Sequence, residues 1–281
     1  MIVSCLGYGY VSSYLLKEIA SNGINCFGIT DNLISLNKKT YGNISVLPRR
    51  NTEEVINFST HLVIAAPPQK SSCPVLYKFQ KQIKNSNIRS VVYISTTGVY
   101  GDHQGKWVDE NSSIKGENNI FDKSRINAEK NWIHFCKKSL ITLNIVRLGA
   151  IYGPGRPKIE DNFFKNIVIK NNHFFSRVHV FDISRLVTKI LLNCHNSTCW
   201  NIVDELPSTR KDFVERIINL KNVKNYNFIM YGEKKKHLKT LKNKFWLSNK
   251  KVSAKKIKKY FKYSYLFPTY VSGLKHVIKN A

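Results

Sequence analysis

The chain has 281 residues, of which 42% are hydrophobic, and this length allows one large domain or one domain with a small lobe. No apolar run is long enough to cross a bilayer, and the apolar start lacks the basic flank of a signal peptide. We therefore expect a cytoplasmic protein with no membrane partner. The six cysteines are scattered without a Cys-x-x-Cys pair, which is typical of reduced thiols and argues against a metal site.

The formal net charge of +27 is extreme, and no acidic residue follows Glu233. One interpretation is a surface for nucleic acid or an acidic membrane. The other is a compositional bias, because Lys, Asn and Ile are abundant along the whole chain. Arginine, the usual reader of base edges, is absent after Glu233 although lysine runs such as 234–236 are present. We favour the interpretation as a compositional bias and do not expect a nucleic-acid partner.

Short apolar runs alternate with helical patterns, which predicts βαβ units around a mostly parallel, doubly wound sheet. Strands are predicted at 2–6, 26–30, 44–47, 61–66, 90–95, 142–148 and 200–203. Helices are predicted at 11–20, 74–83, 122–137, 161–170, 182–192, 253–260 and 270–278, and one after a cap near Ser208. Asp122 is the predicted N-cap of the helix at 122–137.

A glycine pair lies between the first predicted strand and helix, in Leu6-Gly-Tyr-Gly-Tyr-Val-Ser12. Gly7 allows a tight turn, and Gly9 lets the backbone approach a pyrophosphate. Ser12 stands where a small residue is needed for helix–strand contact. Backbone amides at a helix start favour phosphate. The pair therefore predicts a dinucleotide site, and the alternative is that the glycines only form a turn.

Asp31 ends the second predicted strand, about twenty residues after the glycine loop. A carboxylate there accepts hydrogen bonds from ribose hydroxyls and repels a 2′-phosphate, which slightly favours NAD over NADP. The alternative is that Asp31 caps a helix that begins near Asn32. Basic residues nearby would still accommodate a phosphate, so both cofactors stay open; they are Lys38, Lys39, Arg49 and Arg50.

Two later stretches, Ile94-Ser-Thr-Thr-Gly-Val-Tyr-Gly-Asp102 and Phe121-Asp-Lys-Ser-Arg125, carry a resemblance. They resemble the catalytic strand and helix of extended short-chain dehydrogenases, the NAD-dependent epimerase/dehydratase superfamily. The resemblance places Thr96 at the position of the substrate-orienting hydroxyl. It places Phe121 where the catalytic tyrosine belongs and Arg125 where the lysine belongs.

The two replacements remove the proton-transfer group that the resemblance implies. Phe121 carries no proton to transfer, and the guanidinium of Arg125 stays charged, although it can clamp an anion. Three hypotheses remain. The loop residues Tyr100, Asp102 or His103 supply the proton, the protein binds cofactor and ligand without turnover, or the alignment is shifted.

Further segments extend the resemblance over nearly the whole chain. They are Arg147-Leu-Gly-Ala-Ile-Tyr-Gly-Pro-Gly-Arg156, Val178-His-Val-Phe-Asp182 and Gly105-Lys-Trp-Val-Asp-Glu110. Together they are similar to the branch of atypical short-chain dehydrogenases that resembles the bacterial YeeZ protein, whose members also replace the tyrosine. In this resemblance Asp182 caps the following helix.

The resemblance implies a Rossmann-type core over 1–155, with the remaining core elements and a small C-terminal substrate lobe over 156–281. The implied cofactor contacts are Gly7, Tyr8, Gly9, Tyr10, Val11, Asp31, Ala66, Pro67, Thr96, Tyr152 and Gly153. Arg156 and His103 are the implied substrate contacts. Extended members of the family often pair through helices beside the sheet, so a homodimer is one expectation.

The leading functional hypothesis is an NAD(P)-binding atypical short-chain dehydrogenase, similar to epimerases and dehydratases, that acts on a small or nucleotide-linked ligand. The alternative is a nicotinamide-binding sensor or interaction protein without turnover. A third hypothesis is a protein that associates with nucleic acid through its lysine-rich tail.

Overall fold

The computed structural model of the chain describes residues 1–32, 40–69, 72–232 and 246–279. Lys38, Lys39 and the lysine run 234–236 lie outside the described residues. Within those ranges, no helix combines the length and the apolar character needed to cross a bilayer.

The strands are Ile2–Leu6 (β1), Asn25–Thr30 (β2), Thr40–Tyr41 (β3), Ile44–Pro48 (β4), His61–Ile64 (β5), Ser90–Thr96 (β6), Trp107–Val108 (β7), Thr142–Leu148 (β8), Ala150–Tyr152 (β9), Ile167–Ile169 (β10), Phe174–Phe175 (β11), Arg177–His179 (β12), Thr198–Ile202 (β13), Ser208–Thr209 (β14), Phe228–Met230 (β15) and Lys251–Val252 (β16). The α-helices are Tyr10–Ala20 (α1), Thr52–Phe58 (α2), Pro74–Asn85 (α3), Ile120–Ser139 (α4), Val180–Asn193 (α5), Arg210–Lys221 (α6), Lys255–Phe261 (α7) and Tyr270–Lys279 (α8). Short 3₁₀ turns occupy Arg49–Asn51, Thr97–Tyr100, Gly116–Asn118 and Asp161–Phe164.

The main sheet has the strand order β13-β8-β6-β5-β1-β2-β4-β3. β1 pairs in parallel with both β2 and β5, and the parallel pairing continues from β2 to β4 and from β5 to β6. The short β3 pairs antiparallel to β4. The chain therefore winds outward in both directions from β1, which confirms the predicted doubly wound α/β fold.

The chain divides into two compact units, and each is built from three segments. The first unit comprises Met1–Thr96, Ile120–Arg147 and Ile183–Trp200. Its core fills both faces of the sheet: Val91 and Val92 are adjacent on β6 and both are fully buried. Neighbouring residues point to opposite faces of a sheet, so helices cover both sides, as a parallel sheet requires.

The second unit comprises Thr97–Asn119, Leu148–Asp182 and Asn201–Ala281. Its core includes Tyr152, Ile217 from α6 and Leu274 from α8. Small two-stranded sheets join distant parts of this unit: β9 pairs with β12, β10 with β15, β11 with β14, and β7 with β16. Gly273 on α8 packs so closely against the Tyr152 ring that a β-carbon there would lie 2.2 Å from the hydroxyl.

The predicted helix at 161–170 is wrong. A 3₁₀ turn at Asp161–Phe164 is followed by Asn166 at φ +57°, which ends helical geometry, and then by β10. Ile167–Ile169 pairs in parallel with Phe228–Met230, residues far along the chain. This distant pairing overrides the local apolar spacing.

Two predicted caps are also corrected. α4 begins at Ile120, so Asp122 lies in the first helical turn and is not the N-cap. α5 begins at Val180, which likewise places Asp182 inside the first turn. The buried carboxylate of Asp182 accepts hydrogen bonds from the Tyr263 hydroxyl at 2.7 Å and from the Leu266 amide at 2.8 Å. Its role is therefore to hold the segment before α8.

Candidate cofactor site

A cavity of about 420 Å³ lies in the first unit, at the carboxyl end of the parallel strands. Loops at the ends of neighbouring parallel strands meet at one edge of the sheet, which is where such folds bind ligands. The loop after β1, the ends of β2 and β5 and the segment after β4 all contribute. The described lining residues are Leu6, Gly7, Tyr8, Gly9, Ile29, Thr30, Asp31, Arg49, Thr52, Ala65, Ala66, Pro67, Gln69, Pro74, Val75 and Phe79.

Gly7 is required by the backbone. It has φ +113°, and a β-carbon there would lie 2.4 Å from the backbone nitrogen of Ala66. Its amide and that of Tyr8 both donate to the Ile29 carbonyl, at 3.2 and 2.7 Å. The glycine therefore lets three strand ends meet without a steric clash.

Gly9 differs from Gly7. Its backbone is extended, with φ −138°, and a β-carbon built on it meets no atom within 4 Å. This glycine is therefore not demanded by packing, and its open side leaves room for a ligand in the cavity. It is also the N-cap residue of α1, so the backbone amides of the first turn of that helix lie next to it.

Ser12 fixes the loop. Its hydroxyl donates to the Gly7 carbonyl at 2.8 Å and accepts a hydrogen bond from the Cys5 thiol at 3.0 Å. Both side chains are buried. Burial raises the pKa of the Cys5 thiol to about 12, so this cysteine is inert. Ser12, which the sequence places where a small residue is needed, therefore stabilises the turn through these hydrogen bonds.

Asp31 and Arg49 form an ion pair inside the cavity. The Arg49 Nη1 atom lies 3.3 Å from the Asp31 Oδ2 atom. Both residues follow directly from the paired strand ends Thr30 and Pro48. Arg49 appears in the sequence only as one of several basic residues, and the pairing of β2 with β4 is what brings it to Asp31.

The other predicted cofactor residues of this unit are placed as follows. Ala66 and Pro67 line the cavity just after β5. Tyr10 and Val11 lie in the first turn of α1, and neither is among the described lining residues. Thr96 is the last residue of β6 and is partly buried.

The helix α4 carries Phe121 and Arg125, the two residues that the sequence resemblance aligns with a proton-transfer pair. Phe121 is 40% exposed in the first turn. One turn later, the Arg125 Nη1 atom donates to the Ile94 carbonyl of β6 at 2.8 Å. Burial raises the pKa of the neighbouring Tyr93 to about 12, against the opposing effect of the Arg125 charge. Arg125 therefore braces the strand that ends in Thr96.

A buried network that we did not predict lies in the same region. The Glu129 carboxylate on α4 accepts hydrogen bonds from Arg147 on β8, at 2.7 Å from Nη2 and 3.2 Å from Nε. It also accepts a 2.5 Å hydrogen bond from the Ser95 hydroxyl on β6. The network ties the helix that carries Phe121 and Arg125 to two strands of the sheet.

The predicted contacts of the second unit form a separate group. Tyr152 is buried, its hydroxyl donates to the Thr269 carbonyl at 3.3 Å, and burial raises its pKa well above the ordinary value. Gly153 and Arg156 close a turn through two backbone hydrogen bonds of 2.8 Å. The burial of Tyr152 and its hydrogen bond to Thr269 are typical of a side chain that packs in the core of this unit.

The alternative proton donors are engaged in structural hydrogen bonds. The buried Tyr100 hydroxyl donates to the Asn201 side-chain oxygen at 2.8 Å. The Nε2 atom of His103 lies 3.1 Å from the Tyr100 carbonyl, so this nitrogen carries its proton. Burial alone would raise the pKa of Asp102, but amide donors that include Asn249 at 2.9 Å bring it below the ordinary value.

A sequence model of the NAD dependent epimerase/dehydratase family matches residues 7–182. The chain belongs to this family. The match begins at Gly7 of the glycine loop and ends at Asp182, so it spans the cavity, β6 and α4. No curated protein sequence matches the chain.

Solved structures of family-like folds match the chain over its full length. A functionally unknown conserved protein from Silicibacter pomeroyi is 27% identical, with a TM-score of 0.91 and coverage of 100% of this chain and 99% of the other. A UDP-glucuronic acid 4-epimerase variant from Bacillus cereus, in complex with UDP-4-deoxy-4-fluoro-glucuronic acid and NAD, is 16% identical, with a TM-score of 0.77 and coverage of 100% and 98%. The human epimerase family protein SDR39U1 with NADPH is 16% identical, with a TM-score of 0.71 and coverage of 100% of both chains.

Proposed function

We propose that this member of the epimerase/dehydratase family binds a nicotinamide dinucleotide in the cavity and acts on a small or nucleotide-linked ligand without tyrosine-dependent proton transfer. The observation that carries the proposal is the glycine loop. Gly9 leaves open space in a cavity that also contains the Asp31 carboxylate. A pyrophosphate needs close backbone approach, and an adenine ribose needs a hydrogen-bond acceptor.

The cavity residues suit the parts of a dinucleotide. The backbone amides at the start of α1 would face the pyrophosphate beside Gly9, helped by the helix dipole. Asp31 would accept hydrogen bonds from the ribose hydroxyls. The apolar side chains of Val75 and Phe79 would pack on the adenine. NAD in the Bacillus cereus structure and NADPH in the human structure support this assignment.

When bound, the nicotinamide would accept or supply a hydride. Thr96, at the end of β6, carries the hydroxyl that would orient a ligand oxygen. Arg125 holds a permanent positive charge and is bound to the Ile94 carbonyl, so its role is structural and electrostatic. Phe121 supplies no proton, so a standard epimerase or dehydratase step lacks its acid–base group.

A non-catalytic sensor is the second candidate. One observation favours it: Tyr100, Asp102 and His103, which would replace the missing acid–base group, are all engaged in hydrogen bonds. The Tyr100 hydroxyl donates to Asn201, His103 lies beside the Tyr100 carbonyl, and Asp102 accepts from the backbone amides of Gln104 and Asn249. A sensor would bind cofactor and ligand, and the nicotinamide would keep its oxidation state.

Turnover separates the two candidates. Cofactor-loaded protein would be mixed with a panel of nucleotide sugars and small hydroxy or keto compounds, while nicotinamide absorbance and ligand products are followed. For the enzyme we expect conversion that Thr96→Ala lowers without abolishing cofactor binding. Unchanged turnover in Thr96→Ala would refute the assigned site. Ligand binding with no conversion of any compound would favour the sensor.

A matched variant tests the replaced pair directly. Phe121→Tyr with Arg125→Lys restores the residues that the family resemblance implies. If the missing phenol limits the chemistry, the double variant should raise conversion of a bound ligand above the wild type. Phe121→Leu with Arg125→Lys is the control, because it changes the same positions without adding a hydroxyl. Equal conversion by both variants would contradict the proposed role of position 121.

A further inference from the structure

A surface groove of about 360 Å³ lies between α3 and α4 in the first unit, away from the cofactor cavity. Leu76 in this groove is buried and Phe135 is half-buried, so the groove has an apolar floor. Tyr77 also lines the groove, and its side chain is 80% exposed. A bound peptide could cover these apolar side chains with its own.

Lysines surround the groove. On α3, Lys81 follows Tyr77 by one helical turn. Lys84 follows Gln80 in the same way, so both lysines share the helix face that lines the groove. On α4, Lys138 lines the groove directly. All three lysines are exposed, and none of them forms an ion pair with a described residue. The groove therefore has a positive rim.

A compositional bias towards lysine does not account for this face. Elsewhere in the same unit the charges are mixed, and Arg185 of α5 lies 4.0 Å from Glu18 of α1. α3 contains no acidic residue. On α4, Asp122 lies in the first turn, at the opposite end of the helix from the groove, and Glu129 is buried. The two helices thus present cations without exposed carboxylates around the groove.

We propose that the groove between α3 and α4 binds an acidic, amphipathic helix of another protein. Two packed helices present a groove that accepts the ridge of a third helix. The apolar side chains of the partner helix would pack against Leu76, Tyr77 and Phe135. Its carboxylates would meet the lysines of the rim, which gives the charge complementarity of a specific interface.

Other occupants suit the groove less well. A symmetric pairing of two copies sets one patch against itself, so it would bring lysine against lysine. This face is therefore unsuited to the homodimer that the family resemblance implies. Nucleic acid is read mainly by arginine. α3 contains no arginine, and Arg125 of α4 is bound to the Ile94 carbonyl.

The test uses the full chain and two synthetic peptides of about 18 residues, or about five helical turns. The probe contains glutamate and leucine, with the leucines at the spacing of one helical face. The control peptide has the same composition with scattered leucines, so it has the same charge and no apolar face. Binding is measured by calorimetric titration at low and moderate salt. We expect the wild type to bind the probe more tightly than the control peptide, with an affinity that falls as salt rises.

Matched variants locate the binding. Lys81→Gln with Lys138→Gln removes two charges from the rim of the groove. Lys255→Gln with Lys259→Gln removes two exposed charges from α7, in the second unit, and is the control. We expect the groove variant to weaken binding of the probe by about fivefold or more, and the control variant by less than about twofold. Circular dichroism checks that both variants are folded.

Five results would overturn the inference. They are no binding of the probe, equal binding of the two peptides, and equal weakening by the two variants, which would reduce the effect to net charge. Tighter binding of a single-stranded oligonucleotide, weakened by the groove variant, would assign the face to nucleic acid. A wild type that sediments as a dimer, and as a monomer after Tyr77→Ala, would show that a second copy covers the groove. The cofactor cavity has other lining residues, so none of these results decides the proposed function.

Discussion

Glu129 offers the sharpest test of how the candidate site is held together. Its side chain is 6% exposed and that of Arg147 is 10% exposed, so both charges of the pair lie out of water. Glu129→Gln keeps the size of the side chain and removes its charge. Arg147 would then remain buried without its counter-ion, a change that costs about 3–5 kcal/mol of unfolding free energy.

The measurement is urea unfolding followed by fluorescence and circular dichroism, with the midpoint and slope compared between variants. Glu215→Gln is the control, because Glu215 also pairs with a cation, Lys211, at 3.7 Å on a helix. The side chains of that pair are 43% and 51% exposed, so its loss should cost about 0.5 kcal/mol or less.

A double variant separates the buried charge from the lost contact. Glu129→Leu with Arg147→Met replaces both charges by apolar groups, so neither is left unpaired. We expect it to be less destabilised than Glu129→Gln alone. If the unfolding free energy of Glu129→Gln lies within about 1 kcal/mol of the wild-type value, as for the exposed control, the buried network does not stabilise the fold.

Three further predictions follow from single residues. Gly9→Ala should have the melting temperature of the wild type but lose dinucleotide binding in titration. Gly7→Ala should melt at a lower temperature, because its β-carbon would lie 2.4 Å from the backbone of Ala66. Equal melting temperatures of the two variants would contradict the loop geometry. Burial raises the pKa of Asp204 from 3.8 to about 8, so the folded state keeps this proton where the unfolded state has released it. The unfolding free energy should therefore fall as pH rises through that range, and Asp204→Asn should show a flatter profile in pH-dependent denaturation. Cys5, whose pKa burial raises to about 12, should resist alkylation in native protein at about pH 8 and react after denaturation, as mass spectrometry would show.

The sheet was predictable because its strands are buried on both faces. The run at 90–95 is continuous and β-branched, and it forms β6 over Ser90–Thr96. The segment 161–170 was not predictable, because its apolar residues suit a helix as well as a strand. The parallel pairing of Ile167–Ile169 with Phe228–Met230 decides between them, and that pairing is invisible to local periodicity.

The candidate site shows the same division. The glycine loop and Asp31 were found from their spacing along the chain, because the loop and the acidic residue are fixed by one βαβ unit. The partners of buried charged residues could not be predicted from spacing along the chain. Glu129 and Arg147 lie on a helix and a strand and meet only through tertiary packing. Arg49 could be singled out only once β2 and β4 were known to be neighbours.

The measurement that tests the central claim most directly is calorimetric titration of the purified full chain with NAD, NADH, NADP and NADPH at moderate salt. The account predicts saturable binding at one site per chain for at least one oxidised and reduced pair. Absence of binding by all four, with the protein folded by circular dichroism, would contradict it, because the glycine loop would then be only a turn.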